Sequence, residues 1–259
     1  MLEDFLLFFF VGMIAQFIDG ALGMAYGVTA SSFLLAAGVA PAHASAGVHM
    51  AKFFTTAASG AAHASYKNVD WPLFWKLVLS GSVGGVVGAF VLTSVDGAII
   101  KPFITFYLAV MGFVILWRVL RPPPQVKFTS RTVMPLGLTG GFLDAIGGGG
   151  WGPIVTTSLI GRGGEPRFVI GSVNASEFFV TLAIGSALIA AVVMGQWTDS
   201  AALINYAAPI AGLIIGGLLA APIAGRFVSV IPRQVLGVAV GMLVLALAAY
   251  QALAYAQVI

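Results

Sequence analysis

Two aspartates stand in the middle of long apolar stretches, one in QFIDGALGMAYG (16–27) and one in GFLDAIGGGGWG (141–152). Asp19 and Asp144 lie 125 residues apart. Each has a glycine four residues on (Gly23, Gly148) and another eight on (Gly27, Gly152), with Tyr26 or Trp151 just before the last one. A carboxylate in such surroundings can exchange a proton or bind a cation. It can equally cap a short helix by accepting the free N–H groups at its start. Both readings stand at this point. The glycines are easier to read. Four in a row, Gly147–Gly150, cannot propagate a stable helix, since each costs about 1 kcal/mol relative to alanine. Together with Gly20 and Gly23 they would break the chain and expose helix N-termini, which favour anions. The plainer alternative is close helix packing. No GKS/T follows GGGG, so phosphate-loop chemistry is excluded.

The same 125-residue offset superposes Lys52 on Glu177 and His49 on Asn174. Lys52 and Glu177 each sit well inside an apolar helix, where an unpaired charge costs several kcal/mol. One reading pairs them as a salt bridge; the other makes Lys52 the positive partner of an anion and Glu177 a proton carrier. His49, one turn before Lys52, can hydrogen-bond an oxyanion or serve as a satisfied core residue. The substrate-facing candidates are therefore Gly20, Gly23, Tyr26, His49, Lys52, Gly147, Gly148, Gly149, Gly150, Trp151 and Asn174. Asp19, Asp144 and Glu177 are the ion-coupling candidates. Three scattered histidines without any cysteine argue against a metal centre, and no cofactor motif is present. No GxSxG elbow or HExxH pair supports an enzyme.

Composition says what holds these residues. Of 259 residues 59% are hydrophobic and 8% charged, against about 25% charged in soluble domains. Apolar runs recur along the whole length, which defines an all-α polytopic membrane protein. The net charge of +3 fits basic loops on one side of a membrane better than nucleic-acid binding. Crossing helices are expected at 45–64, 74–94, 102–118, 169–194, 201–222 and 233–255. The stretches 5–37 and 132–160 are long for one crossing and short for two, and each holds an Asp–Gly motif at its centre. Both are read as re-entrant-like hairpins that enter, break and leave on one side.

The offset also pairs Pro41 with Pro166, Phe53–Phe54 with Phe178–Phe179, and Thr56 with Thr181. This predicts two repeats in one integrated membrane domain, 1–118 and 132–259, joined by a basic linker at 119–131. Each repeat has a broken hairpin and three full crossings, about eight hydrophobic segments in all. Three is odd, so the repeats are inverted, as is recurrent among secondary transporters. Basic residues then gather on one side, predicted cytoplasmic, with the N-terminus periplasmic.

These residues also carry a family resemblance. QFIDGALGMAYG followed by ASAGVHMAKF, and GFLDAIGGGGWGP followed by GSVNASEFF, resemble the two halves of the TauE/SafE membrane permeases, the sulfite or organosulfonate exporters. The likeness spans residues 5–255. It implies export of a small sulfur-containing oxyanion across the bacterial inner membrane; beside it the residues themselves favour secondary transport, driven by the anion's own gradient or coupled to protons through Glu177, Asp19, Asp144 or His49. Its partners would be that anion and membrane lipid, with no nucleic acid, and homodimer formation is left open. An anion-selective channel is the rival reading.

Overall fold

The computed structural model describes residues 1–22, 24–120, 130–227 and 233–256. Gly23 and most of the basic linker lie outside the described residues. Ten α-helices follow one another among the described residues: α1 (Leu2–Leu22), α2 (Tyr26–Ala36), α3 (Pro41–Ser65), α4 (Trp71–Ser94), α5 (Gly97–Leu120), α6 (Ser130–Gly147), α7 (Thr157–Gly161), α8 (Pro166–Val193), α9 (Ala207–Phe227) and α10 (Arg233–Tyr255). A π-helical turn, Gly152–Thr156, leads into α7, and a 3₁₀ turn, Ser200–Tyr206, into α9. Among the described residues five stretches are long and apolar enough to cross a membrane: Trp71–Ser94, Gly97–Leu120, Pro166–Val193, Ser200–Ala221 and Gly237–Tyr255.

The expected sixth span, 45–64, forms as α3, which at 25 residues is long enough to cross but is not among the five apolar ones. Its sequence explains this. His43, Ser45, His49, Lys52, Thr55 and Thr56 all lie on α3, and all are buried. A helix with that many polar groups is shielded from lipid by its neighbours, and here α8 and α9 cover it.

Chain direction can be followed from close contacts. Gly212 packs on Phe5 and Phe9, and Gly216 on Phe9 and Met13, so α1 and α9 run in parallel. Gly84 against Leu138 and Gly88 against Phe142 do the same for α4 and α6. Small residues at these positions let the backbones meet closely, a common way for helices to associate in lipid. In contrast, α3 and α8 are antiparallel: Phe53 meets Phe178 with ring centroids 5.2 Å apart, and Asn174 Nδ2 lies 3.3 Å from His63 Nε2.

One end of the bundle holds the start of α3, with His43 Nε2 2.9 Å from the Asp199 carbonyl and Pro41 Cδ close to Gly97. At the other end Arg167 bridges Asn68 Oδ1 (2.6 Å) and the Tyr66 carbonyl (3.2 Å), and Gly161 lies against the Arg118 guanidinium. The α6–α7 segment therefore starts and finishes at the end where α5 stops, and α1–α2 starts and finishes at the opposite end. The arms are unequal. With 21 residues α1 is ~30 Å long, while the 11 residues of α2 reach only about half as far. These are not two short helices of equal length; one arm nearly crosses and the other returns from the interior.

Candidate functional site

Each Asp–Gly stretch breaks its helix in the same way. Asp19 Oδ1 accepts the Tyr26 N–H at 3.3 Å, and Asp144 Oδ1 accepts the Trp151 N–H at 3.2 Å, both seven residues on. In each copy the aspartate caps the segment that leads back out, satisfying a donor that the break would otherwise strand at depth. The chain reverses through a left-handed residue each time: Ala25 (φ 97°) in the first break, Gly148 (φ 71°) in the second. A left-handed alanine is uncommon and strained, so the first break costs more than the glycine-rich second. The two breaks meet. A Cβ added to Gly149 would land on the backbone of Gly27 and Val28, and one added to Gly27 on the Gly148 carbonyl.

Beside this contact lies a buried charged cluster. Lys52 Nζ donates to both Asp144 oxygens, at 2.9 and 2.8 Å, and lies 2.8 Å from Glu177 Oε1. His49 Nε2 lies 3.2 Å from Asp144 Oδ2, and its Nδ1 lies 2.7 Å from the Ser45 carbonyl. Ser45 Oγ in turn donates to the Ala145 carbonyl at 2.5 Å, tying α3 to the end of α6. Both ring nitrogens of His49 thus face acceptors. A neutral ring satisfies one of them; satisfying both takes both ring protons. Asp144 is fully buried and Lys52 is 2% exposed, so the pair is held in a medium where neither tolerates losing its partner.

A small cavity, with about 10 Å³ of room, lies between the breaks and this cluster. Asp19, Tyr26, Lys52, Asp144, Gly149 and Glu177 line it, with Ala25, Gly27, Gly152 and Pro153. That is about the room one water needs.

The structure thus brings together all three acidic candidates, Lys52, Tyr26 and Gly149, with His49 behind Asp144. Tyr26 also donates its hydroxyl to the Leu213 carbonyl at 3.0 Å. Other candidates sit elsewhere. The Trp151 indole is fully buried and donates to the Val173 carbonyl at 3.2 Å, so it locks the second break onto α8. Asn174 is drawn to His63 rather than to the cavity. Gly147 and Gly150 pack against the Tyr107 ring. Gly20 lies in the last turns of α1. Gly27 and Gly152, the last glycines of the two spaced motifs, also line the cavity although the sequence does not rank them among the substrate-facing candidates; nothing in the sequence points to Tyr107 or Pro153.

An all-helical bundle with broken helices, and a charged cluster walled off from lipid, define a multi-pass membrane protein of the transporter kind. The comparisons with known proteins agree. The model of the family described as "Sulfite exporter TauE/SafE" matches residues 8–251, and the chain belongs to that family. It is 41% identical over 247 residues to the "Probable membrane transporter protein YtnM" of Bacillus subtilis (strain 168), covering 93% of this chain and 80% of that protein. No solved structure matches it.

Proposed function

We propose that this protein moves a small sulfur-containing oxyanion, such as sulfite or an organosulfonate, across the bacterial inner membrane by proton-coupled secondary transport, in the export direction. The observation that carries the reading is the meeting of two helix breaks beside Asp19, Lys52, Asp144 and Glu177. Lys52 supplies positive charge, and N–H groups at the breaks supply neutral donors for an oxyanion. The three carboxylates outnumber Lys52, so an anion arriving there is favoured by proton uptake on Asp19 or Glu177; Asp144 is held by Lys52, His49 and the Trp151 N–H. The present cavity is too small for sulfite, so substrate enters only when the Gly149 contact with Gly27 and Val28 parts. In this reading 1–118 and 132–259 are inverted repeats about the α3–α8 crossing, each contributing one break.

Orientation follows from the balance of charge. Lys67, Arg118, Arg131, Arg162 and Arg167 gather toward one end of the bundle, against Asp70 and Glu165, while Glu3, Asp4, Asp96 and Asp199 lie toward the other, against Lys101. By the positive-inside tendency the basic end is cytoplasmic and the N-terminus periplasmic. Flux of radiolabelled sulfite in proteoliposomes, with and without a pH gradient, tests the proposal. A channel would dissipate a sulfite gradient but never build one.

A further inference from the structure

The last turn of α3 and the first turns of α8 are joined by side chains whose donors and acceptors fit in one way. Arg167, at the start of α8, donates through Nε to Asn68 Oδ1 at 2.6 Å and through Nη2 to the Tyr66 carbonyl at 3.2 Å. A guanidinium has donors only, so Asn68 presents its oxygen to Arg167 and its amide nitrogen the other way. That nitrogen lies 3.5 Å from His63 Nδ1. Nδ1 is therefore the acceptor, and a neutral His63 carries its proton on Nε2. The Asn174 amide faces Nε2 at 3.3 Å and meets that proton with its oxygen, since the network decides which end of an amide points where. The backbones close beside this chain of contacts. A Cβ on Gly171 would fall on the Asn68 carbonyl, and Ser172 Oγ accepts the Asp70 N–H at 2.8 Å.

The charged groups around His63 offer it no counter-charge. Among the described residues no carboxylate pairs with it, whereas His49 has Asp144 at 3.2 Å and His43 has Asp199 at 3.9 Å. Asp70 shares the following loop with Lys67 and spends its carboxylate on the Leu73 N–H at 3.1 Å, capping α4. Glu165, just ahead of α8, lies with Asp70 on the wall of a cleft of about 390 Å³. On α8 itself the charges are Arg167, one amide away, and Glu177, one turn beyond Asn174 and engaged with Lys52 at 2.8 Å. Protonating His63 puts an N–H on Nδ1, aimed at the Asn68 N–H with the Arg167 charge behind it. Asn68 cannot turn over without giving up Arg167. The closed arrangement and a charged His63 therefore oppose each other.

We propose that Arg167, Asn68, His63 and Asn174 form a clasp that closes the α3–α8 crossing at its basic end, and that protonation of His63 loosens it. The inference rests on the transport reading, which places this end in the cytoplasm and needs it to open. Asn174 stands one turn of α8 from Glu177, so its release from His63 frees the side of the crossing that leads to the charged cluster. Acid at the basic end thereby opens the way to a carboxylate that the transport reading protonates.

Spin labels attached at Ser65→Cys and Glu165→Cys, in the full-length protein in nanodiscs, read the distance across the clasp between about pH 8 and pH 5, the range in which histidine changes charge. Sulfite flux is measured on the same preparations. With His63 in place, a single short distance at the upper pH should give way to a longer one as pH falls. The ratio of the two should change by up to about tenfold per pH unit, the limit for one proton. His63→Gln, which never charges, should hold the short distance throughout. Asn68→Asp keeps an acceptor for Arg167 and offers another to Nδ1, so it should reverse the sign and hold the clasp more firmly in acid. An invariant distance with His63 in place overturns the inference. So does equal widening in the His63→Gln protein, which would assign the change to another group, and so does equal widening in the Asn68→Asp protein. Sulfite flux with an invariant distance removes the clasp and leaves the transport reading standing. Widening that depends on His63, without any flux, does the reverse.

Discussion

Replacing Lys52 by methionine keeps an unbranched apolar stem, one heavy atom shorter, and removes the charge and the donors. In the structure that deletes two hydrogen bonds to Asp144, at 2.8 and 2.9 Å, and the 2.8 Å pairing with Glu177. Two buried carboxylates then face each other across an apolar side chain, with His49 and the Trp151 N–H left to hold Asp144. Removing one partner of a buried ion pair costs about 3–5 kcal/mol, because the remaining charge is stranded. At roughly 2–4 °C per kcal/mol for a chain of this size, K52M should melt on the order of 10 °C below wild type. Adding Glu177→Gln should recover only part of that, since Asp144 stays uncompensated. K52M with both Asp144→Asn and Glu177→Gln should recover more. Melting of the reconstituted protein, arranged as a double-mutant cycle, reads these couplings directly. A K52M protein that melts like wild type while losing anion affinity would refute this reasoning and make Lys52 a free counter-charge for substrate.

Asp19→Asn keeps a carbonyl oxygen to accept the Tyr26 N–H, so it should change stability by no more than ~1 kcal/mol while reducing pH-driven flux; Asp144→Asn should cost several times more stability because Lys52 and His49 lose a charged partner. Gly149→Val should abolish flux and lower the melting temperature, since its Cβ falls on the Gly27–Val28 backbone; unchanged melting and flux would show that the breaks do not need this contact. In this cysteine-free chain, single cysteines at positions 2 and 40 should be labelled from one face and one at 164 from the other; labelling of 2 and 40 from opposite faces would rule out the first hairpin.

The spacing of Asp19 to Tyr26 and Asp144 to Trp151 made the breaks legible, because a cap and the helix start it serves are close in sequence. The superposition of Lys52 on Glu177 was legible too, and the two do meet. The bond from Lys52 to Asp144 was not. An internal repeat identifies equivalent residues, whereas the strongest contact here joins non-equivalent ones, from α3 and α6. Asn174 shows the same limit: the 125-residue offset matches it with His49, yet it turns to His63, because the antiparallel packing of α3 and α8 places it nearer the end of α3 than the centre. Residue type also misled at Trp151, where an aromatic beside a cavity proved to be a bolt between the second break and α8. Apolar runs made 45–64 a crossing like the others, whereas α3, which brings His49 and Lys52 to the charged cluster, is polar along its buried face and is shielded from lipid by its neighbours.

Sulfite movement against its own gradient tests the central claim most directly. Purified protein in liposomes, given an imposed pH gradient and labelled sulfite at equal concentration on both sides, should accumulate sulfite on one side, and Asp19→Asn should abolish that accumulation. Sulfite that never departs from equal concentration in stable, correctly inserted protein would contradict the account.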